Sequence, residues 1–352
     1  MMKAAVYRGD STIAVEDVPV PPLGPGELLI RVESCGICHT DLKKIEYNLL
    51  PPPRIFGHET AGVIAGVGKG VSGFHTGQRA AVFHHIPCGD CFYCDRKLYA
   101  QCPVYKKVGV TAGFEPAGGG FGQYVRVMDW IVRRGVVVLP DHASYDEASF
   151  IEPLNTCLKA VSQAGPEPGD FVLIQGQGPI GLLFTMLMKL RGVRLAVTDT
   201  IPERLALGRR FGAEETWNPR EVNVPESMKR FAAGRGADLV IAATSARGLV
   251  EEALSASRPG ARIVLFAQTS AKERLDLSGA DICVGERTLS GSYSADVDLQ
   301  AESARLIFSG EIPAAALVSH RLPLTEIERG FALALHPDAQ SLKIVVQPQR
   351  IF

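Results

Sequence analysis

The amino-acid sequence predicts a two-domain α/β protein, with a barrel-like β domain and a doubly wound parallel-sheet domain. Its 352 residues exceed one typical domain core and suit two. Short segments rich in Val, Ile and Leu, divided by Gly/Pro turns, fill the first part of the chain. From residue 171 onward, strands alternate with helices around a glycine-rich turn, which is typical of a parallel sheet with helices on both faces.

The composition is that of a soluble globular protein. Apolar residues make up 46% of the chain, charged residues make up 21%, and the formal net charge is -1. This near-neutral charge argues against a nucleic-acid or membrane-surface protein, because either would need a basic face. We find neither a signal peptide nor an apolar run of the ~18 residues that a membrane span requires. We therefore expect a cytoplasmic protein, in which eight cysteines indicate metal binding or catalysis before disulfides.

The first domain is predicted from segments that alternate in polarity or are rich in β-branched residues. These predicted strands cover residues 3–8, 27–33, 61–67, 79–84, 123–127 and 136–140. Proline-rich connectors lie at residues 19–26 and 47–53, and the glycine-rich segment 112–122 is predicted to be a connector rather than a mobile lid.

A candidate metal site begins at Cys38 and continues with His58 and Glu59. A thiolate, an imidazole and a carboxylate at these separations can converge on one zinc that keeps an open position for a substrate. The Thr40 hydroxyl lies two residues past Cys38, near the position of an oxygen bound to such a metal. From these residues alone, a redox Cys-x-x-Cys pair with Cys35 and a packed histidine remain alternatives.

Four closely spaced cysteines form a second candidate site between residues 88 and 102. They are Cys88, Cys91, Cys94 and Cys102. Short spacings let one folded-back loop supply all four thiolates of a tetrahedral zinc. Two disulfides or four free thiols are the alternatives, and a reducing cytosol and the dense clustering count against them. We predict a closed structural zinc lobe.

Residues 144–163 change the period of the apolar positions to a helical one. Glu152 lies within this segment, between Ile151 and Pro153. Its carboxylate is either a buried acid near a metal or a first-turn acid that the helix dipole favours. Both interpretations stay open from the residues alone.

A dinucleotide site is predicted where the apolar strand 171–174 meets a helix. The turn between them is Gly176-Gln177-Gly178-Pro179-Ile180-Gly181. Its glycines allow a tight turn and close backbone approach, and the helix N-terminus offers free N–H groups to a pyrophosphate. A second strand, 194–198, ends at Asp199, which lies at the distance of about 20 residues expected of an acid that binds the adenosine ribose. Arg204 follows five residues later, where it would soften a preference for NAD over NADP.

The alternation continues to about residue 289 and then breaks. We predict helices at 204–212, 249–257 and 298–309, and strands at 239–243, 262–266, 320–322 and 342–346. Because the final segment does not extend the alternation, it is predicted to return to the first domain. The predicted ranges are therefore 1–153 with 290–352 for one domain and 154–289 for the other.

Over nearly its whole length the chain resembles the zinc-dependent medium-chain dehydrogenase/reductase family. The resemblance rests on the glycine motif with Asp199, the four-cysteine lobe and three short motifs: Cys38-His39-Thr40-Asp41, Gly57-His58-Glu59 and Glu152-Pro153-Leu154. The last two are most similar to the polyol branch, which includes sorbitol and threonine dehydrogenases. The resemblance implies a GroES-like catalytic domain built from both ends of the chain, a central Rossmann NAD-binding domain, and a homodimer or homotetramer.

The resemblance also implies roles for individual residues. Cys38 and His58 would be fixed ligands of a catalytic zinc, Glu59 would be a ligand or exchange with water, and Glu152 would lie next to the zinc. Asp41 would orient His58. The zinc would act as a Lewis acid on an alcohol substrate, Thr40 would pass on the proton, and hydride would move to NAD.

One residue departs from the family pattern. Lys43 stands where many members have the histidine that completes a proton path to solvent. A zinc-independent quinone or enoyl reductase and a catalytically silent NAD(H)-binding protein are the alternative functions. The intact Cys38, His58 and Thr40 count against both.

Overall fold

The computed structural model describes residues 1–105, 107, 109–114, 118–267 and 274–350. Its contacts divide the chain into two compact units. The terminal unit contains Met1–Asn155 and Asp296–Phe352, and the central unit contains Thr156–Ala295. The sequence placed these boundaries at residues 153 and 289. Part of the glycine-rich connector 112–122 lies outside the described residues.

Sixteen strands are present in the described part of the chain. In chain order they are β1 Met2–Gly9, β2 Thr12–Val18, β3 Leu28–Gly36, β4 Glu59–Val67, β5 Arg79–Val82, β6 Val110–Thr111, β7 Tyr124–Val127, β8 Val136–Val138, β9 Phe171–Gln175, β10 Arg194–Thr198, β11 Glu215–Trp217, β12 Ala237–Ala242, β13 Ser257–Leu265, β14 Thr288–Gly291, β15 Val318–Pro323 and β16 Lys343–Gln347.

The α-helices of the described residues are α1 His39–Glu46, α2 Phe92–Asp95, α3 Asp129–Val132, α4 Tyr145–Ser149, α5 Ile151–Ala164, α6 Pro179–Leu190, α7 Pro202–Phe211, α8 Val224–Phe231, α9 Leu249–Ala256, α10 Gly279–Cys283, α11 Gln300–Phe308 and α12 Ile327–Leu335. Single 3₁₀ turns cover Tyr99–Gln101, Val297–Leu299, Ala314–Leu317 and Leu324–Glu326. Within the described ranges, no helix has the length and apolar character needed to cross a bilayer.

The terminal unit is built on a mostly antiparallel sheet in the order β15-β16-β3-β4-β5-β8, and β7 also pairs with β3. Strand β3 buries Leu28, Ile30 and Val32 at alternate positions and exposes Arg31 between them, as the pleat requires. At the end of β3, Gly36 pairs with Glu59 of β4 on one side and with Val345 of β16 on the other. The sheet therefore brings residues from both ends of the chain together.

The central unit has a six-stranded parallel sheet in the order β11-β10-β9-β12-β13-β14. Strand β12 is buried at every position, as expected of a strand covered on both faces. At the start of this strand, Asp238 accepts hydrogen bonds from the Phe171 backbone nitrogen at 2.7 Å and from the Arg258 side chain at 2.5 Å. One carboxylate thus joins the beginnings of three neighbouring strands, β9, β12 and β13.

The segment 144–163, for which a helical period was predicted, is helical but is divided into α4 and α5 by a break at Phe150. Ser144 begins α4 with a capping box that it forms with Glu147. The turn ends at Phe150, whose ψ of -5° departs from the helical value of about -42°. A new helix that starts at Ile151 places Pro153 in a first turn, where its missing N–H costs no hydrogen bond.

Candidate functional site

Cys38, His58 and Glu59 converge in the terminal unit. One ligand atom of each lies within 4.8 Å of the others. Cys38 is the N-cap of α1, and its sulfur accepts a hydrogen bond from the Thr40 backbone nitrogen at 3.4 Å. His58 and Glu59 stand at the start of β4, beside the end of β3. A thiolate, an imidazole and a carboxylate this close fit a zinc ion with room for a further ligand.

A buried carboxylate holds the His58 ring. Asp41 Oδ1 lies 3.0 Å from His58 Nδ1, and Asp41 is fully buried. This contact leaves Nε2 as the ring nitrogen available to a metal, an arrangement common around histidine ligands. Burial acts to lower the pKa of His58, but the charges of Asp41 and Cys38 outweigh it and hold that pKa well above the ordinary value.

A lysine that sequence reasoning missed contacts both carboxylate oxygens of Glu59. Lys343 Nζ is 2.6 Å from Glu59 Oε1 and 2.5 Å from Oε2, and it donates to the Ile37 carbonyl oxygen at 3.2 Å. Both side chains are buried. Burial alone would lower the pKa of Lys343, but the charges of Glu59 and Cys38 raise it above its ordinary value. The trace in the sequence is a lysine that opens β16, directly before three apolar residues.

Gly36 makes room for this ion pair. A Cβ atom built on Gly36 would lie 1.8 Å from Glu59 Oε2, so any larger residue would displace the carboxylate. The two residues are paired across β3 and β4. The glycine therefore lets the Glu59 side chain fold over the neighbouring strand toward Lys343.

Glu152 lies in the first turn of α5 but outside the group formed by Cys38, His58 and Glu59. Burial raises the pKa of its carboxyl to about 7, and the charge of Glu59 adds to the shift while that of His58 opposes it. Glu152 is thus a half-buried first-turn acid whose carboxyl responds to the charges of His58 and Glu59.

Thr40 and Lys43 both lie on α1, and the Thr40 side chain is exposed. Next to the cluster, the His84 ring lies 4.9 Å from the His58 ring and 3.8 Å from the His85 ring, centroid to centroid. Burial lowers the pKa of His84 well below its ordinary value and that of His85 to about 3. These two imidazoles are therefore neutral near pH 7 and offer hydrogen bonds rather than charge.

The four cysteines of the 88–102 segment also come together, with all four sulfurs within 4.8 Å of one another. Three of the sulfur–sulfur distances are 3.6, 3.6 and 3.8 Å, and none of the cysteines forms a disulfide. Sulfurs bound to one tetrahedral zinc at about 2.3 Å lie roughly 3.8 Å apart. Burial opposes ionisation of Cys102, but backbone N–H donors, Cys88 first, outweigh it and lower its pKa to about 6. The segment fits a closed four-thiolate zinc.

In the central unit, the glycine turn joins β9 to α6. Gly176 has a φ of 95°, which only glycine adopts readily, and Gly178 is the N-cap of α6 with Pro179 after it. A Cβ on Gly181 would lie 1.8 Å from the Gly176 carbonyl oxygen. The turn thus brings backbone and helix N-terminus close together, which fits a pyrophosphate.

Two charged residues, Asp199 and Arg204, lie beside this turn. Asp199 accepts hydrogen bonds from the backbone nitrogens of Gln177 at 2.7 Å and Ile201 at 2.9 Å. A Cβ on Gly178 would lie 3.8 Å from Arg204 Nη1, so the guanidinium is next to the turn. All predicted cofactor residues therefore lie at the carboxyl ends of β9 and β10 or in the first turns of α6 and α7.

Two protein-family models match the chain. One, described as the alcohol dehydrogenase GroES-like domain, matches residues 24–141. The other, described as zinc-binding dehydrogenase, matches residues 179–308. The first lies in the terminal unit and covers the three-residue cluster and the four-cysteine segment. The second begins at the helix of the glycine turn.

Individual proteins agree with these matches. The chain is 30% identical to a sorbitol dehydrogenase of Bacillus subtilis (strain 168), over 99% of this chain and 98% of the relative. It is 32% identical to an L-threonine 3-dehydrogenase of Pyrococcus abyssi (strain GE5 / Orsay), over 91% of this chain and 90% of the relative. A crystal structure of a zinc-binding dehydrogenase from Sinorhizobium meliloti 1021 bound to NADP superposes with a TM-score of 0.88 at 28% identity, covering 99% of both chains.

Proposed function

The chain belongs to the zinc-dependent medium-chain dehydrogenase/reductase family, and we propose that it oxidises a secondary alcohol or polyol to the carbonyl compound, reversibly, with NAD as hydride acceptor. The observation that carries this proposal is the convergence of Cys38, His58 and Glu59, a donor set that leaves a zinc open to substrate. The sequence predicted this family and the two sheet types, and both predictions are confirmed.

We assign the zinc ligands from this geometry. Cys38 and His58 would hold the catalytic zinc, with Glu59 as a further donor, and Asp41 would keep His58 oriented. When bound, this zinc would supply Lewis-acid activation of the alcohol. Glu152 would act beside the ion, and Thr40 would accept and pass on the alcohol proton. Four thiolates would hold a structural zinc, namely Cys88, Cys91, Cys94 and Cys102.

The central unit would bind NAD through the turn Gly176–Gly181. Gln177, Gly178, Pro179 and Ile180 would present the backbone to the pyrophosphate, and NAD would supply the hydride-accepting ring. Although the Sinorhizobium relative carries NADP, Asp199 favours NAD here because its charge would repel a 2′-phosphate. Arg204 lies near enough to bind a phosphate of either cofactor.

The substrate class is proposed from the relatives and from the chemistry of the site. Sorbitol and threonine, the substrates that give two of the relatives their names, each contain a secondary alcohol. The neutral His84 and His85 add hydrogen-bonding groups rather than charge beside the cluster. We further propose that the protein is cytoplasmic and forms a homodimer or homotetramer. Light scattering of the purified protein would test the oligomeric state.

The test is a substrate panel with metal analysis. Purified protein should contain one structural and one catalytic zinc and should reduce NAD with at least one member of a panel of secondary alcohols, sugar alcohols and amino alcohols. Full zinc content without activity on the whole panel would instead favour a silent NAD(H)-binding protein. Absence of zinc at the Cys38 site would favour a zinc-independent reductase.

A further inference from the structure

We propose that Lys343 is a positioning residue of the catalytic metal site: it shares the charge of Glu59, so that Glu59 donates weakly to zinc and leaves the ion a stronger Lewis acid. This inference rests on the proposed function. It starts from the geometry of the pair, in which one ammonium group lies 2.6 and 2.5 Å from the two oxygens of a candidate metal ligand.

The fold places the lysine where no solvent competes for it. Lys343 is the first residue of β16, and β16, β3 and β4 lie side by side in the sheet. Its relative exposure is 5% and that of Glu59 is 1%. Lys343 also donates to the Ile37 carbonyl and lies 5.8 Å from the centre of the Phe150 ring. Two contacts with Glu59 and one each with Ile37 and Phe150 therefore hold the ammonium in place.

A fixed ammonium changes what Glu59 can donate. Cys38 and Glu59 would each bring one negative charge to a doubly charged ion, and His58 is neutral when it ligates. Lys343 offsets the charge of Glu59, and electrostatic interactions are stronger in a buried site than in water. With part of its electron density engaged by the ammonium, Glu59 offers less to the ion. The ion then keeps more of its positive charge for a substrate oxygen.

Gly36 supports the same interpretation from an independent direction. The Glu59 carboxylate occupies the space that a Cβ on Gly36 would need, 1.8 Å from that position. The carboxylate therefore lies across β3 toward Lys343, on a path that a glycine keeps open.

A purely structural ion pair makes a different prediction. Breaking any buried ion pair leaves an uncompensated charge and destabilises the fold. A structural pair would therefore lose stability and leave the zinc affinity equal or lower. A charge-sharing lysine instead restrains Glu59, so that its removal should tighten zinc binding while slowing turnover. A rise in zinc affinity together with a fall in kcat would therefore indicate a charge-sharing lysine rather than a structural ion pair.

The experiment uses the zinc-loaded, full-length enzyme and three substitutions. Lys343→Met removes the charge at similar length, Lys343→Gln removes the charge but keeps a hydrogen-bond donor, and Lys343→Arg keeps the charge as the matched control. Zinc is withdrawn with a graded series of chelators, and the metal that remains is counted by elemental analysis. The four-cysteine site serves as the internal reference in every variant.

We expect both neutral variants to hold the catalytic zinc about 10- to 100-fold more tightly, the range typical of groups that act on a ligand, with a lower kcat. Lys343→Arg should stay near wild type in both. If Lys343→Met does not fold, Lys343→Gln decides alone, because it keeps a donor to Glu59. Unchanged or weaker zinc binding in the folded neutral variants would overturn the proposal. A wild type that holds only the structural zinc would instead overturn the proposed function itself.

Discussion

The Gln177 backbone nitrogen donates a hydrogen bond of 2.7 Å to Asp199 Oδ2, so the glycine turn itself orients the acid at the end of β10. The Ile201 nitrogen holds the other oxygen at 2.9 Å. Both bonds come from the backbone, so each carboxylate oxygen is held beside the turn. Its position is therefore part of the turn geometry rather than a property of one side chain.

This arrangement predicts NAD over NADP. Each ~1.4 kcal/mol of difference in transition-state free energy changes kcat/KM tenfold. Repulsion of a 2′-phosphate by a fixed carboxylate should therefore make kcat/KM with NAD more than about tenfold higher than with NADP. Asp199→Ala should narrow the preference by about tenfold or more, because it removes both the acceptor for the ribose hydroxyls of NAD and the repulsion of the 2′-phosphate of NADP. The matched control Glu203→Ala removes an exposed charge from α7 and should leave the ratio unchanged. Equal efficiency of the wild type with both cofactors would refute the assignment.

The four-cysteine segment predicts separable metals. Cys91→Ser should lose the structural zinc and lower the melting temperature, while Cys38 and His58 retain theirs, because the two sites share no ligand. Cys283 is exposed and lies outside both sites, so Cys283→Ser is the control and should change neither quantity. Elemental analysis and thermal unfolding measure the effect. Loss of activity alone, with zinc content and melting temperature intact, would mean that the segment is not a zinc lobe.

Glu152 should influence turnover more than zinc content, because it lies outside the three-residue cluster. Glu152→Ala should keep the catalytic zinc and lower kcat by roughly 10- to 100-fold, and Glu152→Gln should behave similarly since it too lacks the charge. Metal counting alongside steady-state kinetics checks both. If Glu152→Ala lost the zinc completely, Glu152 would be an obligatory ligand and the role of Glu59 would need revision.

Thr40 should carry the proton of the substrate alcohol. Removing its hydroxyl in Thr40→Ala should lower kcat by about 10²- to 10⁴-fold with little change in zinc content, the range typical of proton-transfer groups. Thr40→Ser keeps a hydroxyl at the same position and should retain most of the activity. A Thr40→Ala enzyme with wild-type turnover would exclude this route, and the pH profile of Lys43→Ala would then be the next measurement.

Asp238 predicts a pH-dependent contribution to stability. Burial opposes its ionisation, but the bonds from Phe171 and Arg258 outweigh it and lower its pKa. A lowered pKa stabilises the fold above the unfolded value of about 3.9, and this contribution is lost as pH falls through the folded value. Asp238→Asn should therefore cost about 1–2 kcal/mol of unfolding free energy at pH 7.

Denaturant unfolding at several pH values measures this effect. The difference between wild type and Asp238→Asn should begin to shrink below about pH 4, where Asp238 takes up a proton in the unfolded chain, and should vanish once pH falls below the folded pKa. Asp276→Asn is the control, because Asp276 is an exposed acid in the same unit. A difference that stayed constant down to acid pH would assign the loss to shape rather than to charge.

Local patterns carried most of what the sequence revealed. The glycine turn could be predicted because Gly176, Gly178 and Gly181 act within one strand–turn–helix unit, and the cysteine lobe because its ligands lie within one short segment. Periodicity located most strands, but it merged α4 and α5 because both have a helical period. The Pro153 signal at that junction required knowing where the second helix begins.

Long-range pairing could not be predicted in this way. Lys343 and Glu59 are separated by 284 residues, and nothing near either one marks its partner. Their contact depends on the order β16-β3-β4 and on the Gly36–Glu59 register, which emerge only when the sheet has formed. Helix α1 was not predicted from the sequence for a local reason. Its N-cap is Cys38, and a thiol is not one of the usual capping groups.

Ribosomal synthesis delivers Cys38, His58 and Glu59 long before Lys343, because the whole central unit is translated between them. Domains fold as units, and the terminal unit includes the segment 296–352, so its sheet is complete only after the last part of the chain has been translated. The zinc site, with Glu59 beside Lys343, is therefore among the last parts of the molecule to be completed.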